Sequence, residues 1–102
     1  MPSNDSMKTF TMVATSVPPE LGAKVNQRAK AEMNTMSDHI RMVVSKWIEA
    51  GSPVMEVPME RFRVHLGAYF TQVDYNRLKD VSLRRRLSLA HAIRIAMAWY
   101  HK

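Results

Sequence analysis

Apolar residues recur along this chain in two rhythms, and each change of rhythm marks a new element. From Lys8 to Val17 the run KTFTMVATSV is rich in Thr, Val and Phe, the composition of a strand. Pro18 and Pro19 end it, because proline cannot donate to a ladder yet suits the first turn of a helix. Glu20 in that turn complements the helix dipole. Leu21, Val25 and Ala29 then recur at helical spacing and predict a helix from Glu20 to about Met33. Asn34 can take the left-handed conformation that closes it. Thr35 and Ser37 are candidate caps for a second helix, with Asp38 in its first turn. Ile40, Val43, Val44, Trp47 and Ile48 form its apolar stripe, and Gly51 stops it.

After a proline-bounded connection the rhythm returns to two. Phe62, Val64 and Leu66 fall on one face, Arg61, Arg63 and His65 on the other, and Gly67 is expected to break the strand. A helix from about Ala68 to Asp80 follows, with Phe70, Val73, Tyr75 and Leu78 apolar, and Arg84, Arg85 and Arg86 in the next connection. The last helix begins near Ser88 and runs to Tyr100, with Ile93, Met97 and Tyr100 on one stripe. The expected organisation is a loose tail at 1–7, a first unit at 8–51, a linker at 52–59 and a second unit at 60–102, together one compact domain.

Strand, helix, helix therefore occurs twice, and letters repeat with it. TMSDHIRMVVSKW from Thr35 lines up with SLAHAIRIAMAWY from Ser88, placing Ile40-Arg41 on Ile93-Arg94 and Trp47 on Tyr100. A lone strand leaves its backbone groups unpartnered, and about 45 residues bury too little apolar surface to stand alone. Two units in one chain solve both problems, and make assembly independent of concentration.

Charge narrows the function. The 102 residues carry 15 Lys plus Arg against 9 Asp plus Glu, a net +6. That bias favours a polyanionic partner, nucleic acid first and an anionic membrane surface second. It is uneven: residues 1–51 hold 6 basic and 5 acidic side chains, residues 52–102 hold 9 and 4. Cysteine is absent, which excludes disulfides, thiolate metal sites and a cysteine nucleophile. The four histidines show no metal spacing, and no metal or other cofactor is expected. No signal-like or membrane-spanning run is visible, so a soluble, cytoplasmic protein with no membrane partner is expected.

The alternating strand, the entry at Pro18, Pro19, Glu20 and Leu21, and the Ser37-Asp38-His39-Ile40-Arg41 start of the second helix resemble the ribbon-helix-helix family of DNA-binding proteins. The resemblance covers roughly Lys8 to Tyr100. It implies a mostly α fold with a short two-stranded antiparallel β-ribbon, here a tandem ribbon-helix-helix (β-α-α-β-α-α) pseudo-dimer. In that family the ribbon enters the major groove of DNA. Fused repeats occur among accessory proteins of conjugative transfer complexes and of T-DNA border processing. The implied partners are therefore double-stranded DNA, a relaxase or nicking enzyme or other transfer proteins, and further copies of the chain side by side on DNA. A transcriptional repressor is the other role the family offers.

The outward face of such a ribbon must carry side chains that reach base edges. The second strand offers Arg61, Arg63 and His65, arginine being shaped for the two acceptors of guanine. A solvated strand face would carry the same residues. The first strand has two phases open. One turns Phe10, Met12 and Ala14 inward and Thr9, Thr11, Val13 and Thr15 outward; the other turns Val13 and Val17 inward. Base-reading chemistry selects the first, with Thr9, Thr11 and Thr15 outward, since Thr can donate, accept and touch the thymine methyl. Phosphate contacts are expected at helix starts, from Thr35 and Ser37 and from Ser88, with Arg84, Arg85 and Arg86 just ahead of the latter. Arg41 and Arg94 could equally reach phosphate or pair with acids across the fold.

No phosphate-cradling glycine loop, HExxH or GxSxG occurs, and no enzymatic activity is expected. The main alternative is a small protein-interaction module, antitoxin-like or a phage-encoded inhibitor, whose basic face binds an acidic protein. RNA binding is less favoured, because the candidate outward strand face carries no aromatic residue for stacking.

Overall fold

A computed structural model describes residues 10–102. The tail expected at 1–7 and the candidate base reader Thr9 lie outside the described residues. The elements run β1 (Phe10–Val17), α1 (Pro19–Ala31), α2 (Met36–Glu49), β2 (Val64–Thr71), α3 (Gln72–Arg85) and α4 (Leu89–Tyr100). The fold is mostly helical with one two-stranded antiparallel sheet.

Each helix starts where the local chemistry supplies a partner for free N–H groups. α1 opens on Pro19, which has no N–H to satisfy, with Glu20 in its first turn. The hydroxyls of Thr35, Thr71 and Ser88 cap α2, α3 and α4, accepting from the N–H of Asp38, Asp74 and His91. The helix ends are equally regular. Met33 and Arg86 take the left-handed conformation, at φ of 57° and 59°, after α1 and α3. Met33 N–H donates to Lys30 and Asn34 N–H to Ala29; Arg86 and Leu87 repeat this on Leu83 and Ser82. The left-handed residue closing α1 is therefore Met33 and not Asn34.

β1 and β2 pair along their whole length, with Phe10 opposite Thr71, Ala14 opposite Gly67 and Val17 opposite Val64. Val13, Thr15 and Val17 from β1 and Leu66, Ala68 and Phe70 from β2 point into the core. There they meet Val25 of α1, Ile40, Val43 and Trp47 of α2, Leu78 and Val81 of α3, and Ile93, Ile95 and Met97 of α4. One core thus draws on both halves of the chain. Its deepest side chain, Trp47, donates its indole N–H to the Pro53 carbonyl at 2.8 Å and so anchors the connection between the halves. Gly22 lets α1 approach β2: a Cβ there would sit 3.1 Å from the Val64 Cβ.

Two boundaries differ from the sequence expectation. β2 runs Val64–Thr71, not 60–66, so Gly67 lies mid-strand and Arg61, Phe62 and Arg63 precede the strand. α3 is displaced to match, and Arg84 and Arg85 belong to its last turn. Gly67 is accommodated because its ladder partner Ala14 is small and the Met12 thioether covers it, 3.2 Å from where a Cβ would stand. Among the described residues no helix is long and apolar enough to cross a membrane.

Candidate nucleic-acid interface

Strand alternation decides what the ribbon shows on its outer face. With Val13, Thr15 and Val17 turned inward, Phe10, Met12, Ala14 and Ser16 of β1 turn outward. Across the register His65, Gly67, Tyr69 and Thr71 of β2 join them. The facing pairs are Phe10–Thr71, Met12–Tyr69, Ala14–Gly67 and Ser16–His65. The face is therefore split at its midpoint. One end is polar, with Ser16 and His65, and the chain carrying Arg61 and Arg63 enters beside it. The other end is apolar, with Phe10, Met12 and Tyr69 each about half exposed.

The threonines expected outward are not there. Thr15 is buried, 4% exposed, and its hydroxyl donates to the Ala90 carbonyl of α4 at 2.6 Å. Thr11 lies in the same inward phase and is half-buried opposite Phe70. The Ala90 carbonyl, partly buried on α4, satisfies the Thr15 hydroxyl, so the inward phase costs no orphaned polar group. On β2 the expected phase holds for His65, which is exposed and outward. Arg61 and Arg63 are exposed, but they lie before the strand, where Arg63 Nε donates to the Glu60 carbonyl.

The helix starts flank the ribbon. Ser37 Oγ accepts from the Tyr69 N–H at 3.1 Å, so it ties α2 to β2 instead of standing free. Thr35, Ser37, Asp38 and Arg41 line a groove together with Phe10 and Tyr69. Asp38 pairs with Arg41 within the α2 first turns. At α4 the equivalent position is His91, and its first turn holds no acid. Ser88 is exposed and caps α4.

Arg41 and Arg94 reach neither an acid across the fold nor open solvent alone. Arg41 donates to the Tyr69 carbonyl at 2.6 Å, and Arg94 donates to the Ser16 carbonyl at 2.7 Å. Each arginine thus grips the strand of the other half. The two contacts are related by one offset: 41 to 94 and 16 to 69 are both 53 positions. The same offset carries Thr35 onto Ser88, Met33 onto Arg86 and Ala14 onto Gly67.

The three arginines before α4 have unlike surroundings. Arg85 donates to the Gly51 carbonyl and the Ser52 hydroxyl, binding the end of α3 to the end of α2. Arg84 pairs loosely with Asp80 at 3.4 Å, both side chains exposed. Arg86 is exposed at the left-handed turn.

Where α1, α2 and the end of α4 meet, His39 and His101 are buried with their Nε2 atoms 3.0 Å apart. Burial pushes His101 down to about 4, helped by His39, Arg28 and Lys24. Burial also lowers His39, against an opposing pull from Glu32 at 3.7 Å.

Sequence reasoning missed Phe10, Met12, Ala14, Ser16, Tyr69 and Thr71 on the outer face. The signal for the β2 members was present: Leu66, Ala68 and Phe70 continue the alternation through Gly67, and Thr71-x-x-Asp74 repeats the Thr35-x-x-Asp38 cap. No family model, curated protein or solved structure matches the chain.

Proposed function

We propose that this chain binds double-stranded DNA sequence-specifically, as a tandem ribbon-helix-helix pseudo-dimer with its ribbon in the major groove. Its role is that of an accessory factor in DNA transfer or border processing, or of a transcriptional repressor. The observation that carries the reading is the exposed two-stranded ribbon, gripped at opposite ends by Arg41 and Arg94 through contacts 53 residues apart. Two strands about 4.8 Å apart fit a groove about 12 Å wide. Flanking helix starts at Thr35 and Ser88 favour phosphate, and the +6 charge favours the duplex as a whole. The exposed Phe10, Met12 and Tyr69 favour a second reading, a protein-interaction module, and the +6 charge would suit an acidic partner protein.

Selection from a random duplex pool, followed by salt titration, tests the first reading. A preferred sequence should emerge. An Arg61→Ala/Arg63→Ala variant should bind it more weakly, with the salt slope reduced by about 2 and the sequence preference retained. No enrichment over a scrambled duplex overturns the DNA reading and leaves the protein partner.

A further inference from the structure

Over half its length the outer face of the ribbon lacks the charged and amide groups that read bases by paired hydrogen bonds. From Ala14 and Gly67 towards Phe10 there is no charged or amide side chain; Tyr69 and Thr71 supply only hydroxyls. What this end presents is hydrocarbon, thioether and ring: Phe10 at 49%, Met12 at 52% and Tyr69 at 52% exposure. Met12 does not stand straight out. Its Sδ and Cε lie over Gly67, 3.2 and 3.0 Å from where a Cβ would be, so the thioether covers the centre of the face.

In the major groove one base-edge group is apolar, the 5-methyl of thymine. A thioether is unbranched and polarizable, and adapts to such a contact. The setting also fits a duplex. The apolar strip is only two strands wide. Beside it, Thr35, Ser37, Asp38 and Arg41 at the start of α2 share a groove with Phe10 and Tyr69, the Asp38 carboxylate being paired with the Arg41 guanidinium. A narrow apolar strip bordered by anion-favouring N–H groups complements methyl groups lying between walls of phosphate.

We propose, resting on the DNA reading above, that this end of the ribbon recognises thymine methyl groups through Met12 and Tyr69, rather than guanine through arginine. The arginines at 61 and 63 then supply charge, and the Ser16–His65 end adds polar groups to the hydroxyls of Tyr69 and Thr71.

The test uses the duplex enriched from the random pool, remade with single thymines replaced by uracil, which removes the methyl and keeps the pairing. At least one or two positions should lose about fourfold in affinity each, the worth of a buried methyl group. Met12→Ala and Tyr69→Ala change exposed side chains and leave the core untouched. Each should abolish the uracil penalty at its own position, so that the variant binds the thymine and uracil duplexes equally there, whatever its overall affinity. Uracil substitutions that all stay within twofold of thymine overturn the inference and leave the DNA reading standing. So does a penalty that survives in both variants, or a preference for guanine that disappears in the Arg61→Ala/Arg63→Ala variant. Failure to enrich any duplex overturns the DNA reading itself.

Discussion

The buried His39–His101 pair makes stability depend on pH in a direction that can be worked out. His101 titrates at about 4 in the fold against 6.5 for a free histidine, chiefly because burial penalises its charged form. The unfolded chain therefore takes up the proton first. Stability is complete above pH 6.5, falls as pH drops towards 4, and this contribution is spent below that. At 1.36 kcal/mol per pH unit the loss approaches about 3 kcal/mol, a large part of the stability of a small domain. His39 is lowered in the same sense, chiefly by burial, and so adds to the slope. Thermal and urea unfolding at pH 7.5, 6.0 and 4.5 should show the decline; two pH units below 6.5 the loss is about 2–3 kcal/mol, a melting temperature lower by roughly 10–20 °C. Carboxylates also titrate there, so the comparison that isolates the pair is His101→Gln. Its amide keeps a donor for His39 and carries no charge. The variant should lose most of the slope between pH 6.5 and 4.5. An unchanged slope in His101→Gln would refute the assignment of the pH dependence to the pair.

Two further outcomes test the framework of the fold. Met33→Gly removes a left-handed non-glycine residue that is 92% exposed, and should raise stability by about 0.5–1 kcal/mol in urea unfolding; a loss would mean that the turn after α1 is not left-handed. Arg94→Met removes the donor to the Ser16 carbonyl and should cost about 1–2 kcal/mol. Amide exchange should speed up at the Ser16–His65 end of the ribbon, whereas Arg41→Met should do so at the Met12–Tyr69 end; exchange unaltered by either means that the arginines do not hold the ribbon.

Local rules were legible along most of the chain. β1, α1, α2 and α4 begin and end within a few residues of where prolines, caps and stripes place them. β2 was misplaced because Gly67 reads locally as a break. Whether a glycine breaks a strand depends on the partner opposite and the side chain that covers it, here Ala14 and Met12, more than 50 positions away. The candidate site suffered for the same reason. In β1 Thr11, Val13, Thr15 and Val17 share one face and Phe10, Met12, Ala14 and Ser16 the other, so each face mixes apolar and polar residues and either phase looks reasonable in isolation. Thr15 turns inward because the Ala90 carbonyl, 75 residues later, accepts its hydroxyl. Arg41 and Arg94 were aligned from the sequence, but their partners are backbone carbonyls, which carry no letter.

Two halves with the same order of elements in one chain are free to differ in their side chains. A dimer of identical chains has no head or tail, since rotation exchanges its ends. Under the 53-residue offset Phe10 falls on Arg63, Met12 on His65 and Ser16 on Tyr69, so no outward pair is matched except Ala14 with Gly67. The ribbon consequently has a direction. Whatever lies along it meets an apolar end and a polar end, and the two ways of laying it down are unequal in energy. Two unlike halves in one chain thus make the ribbon an arrow.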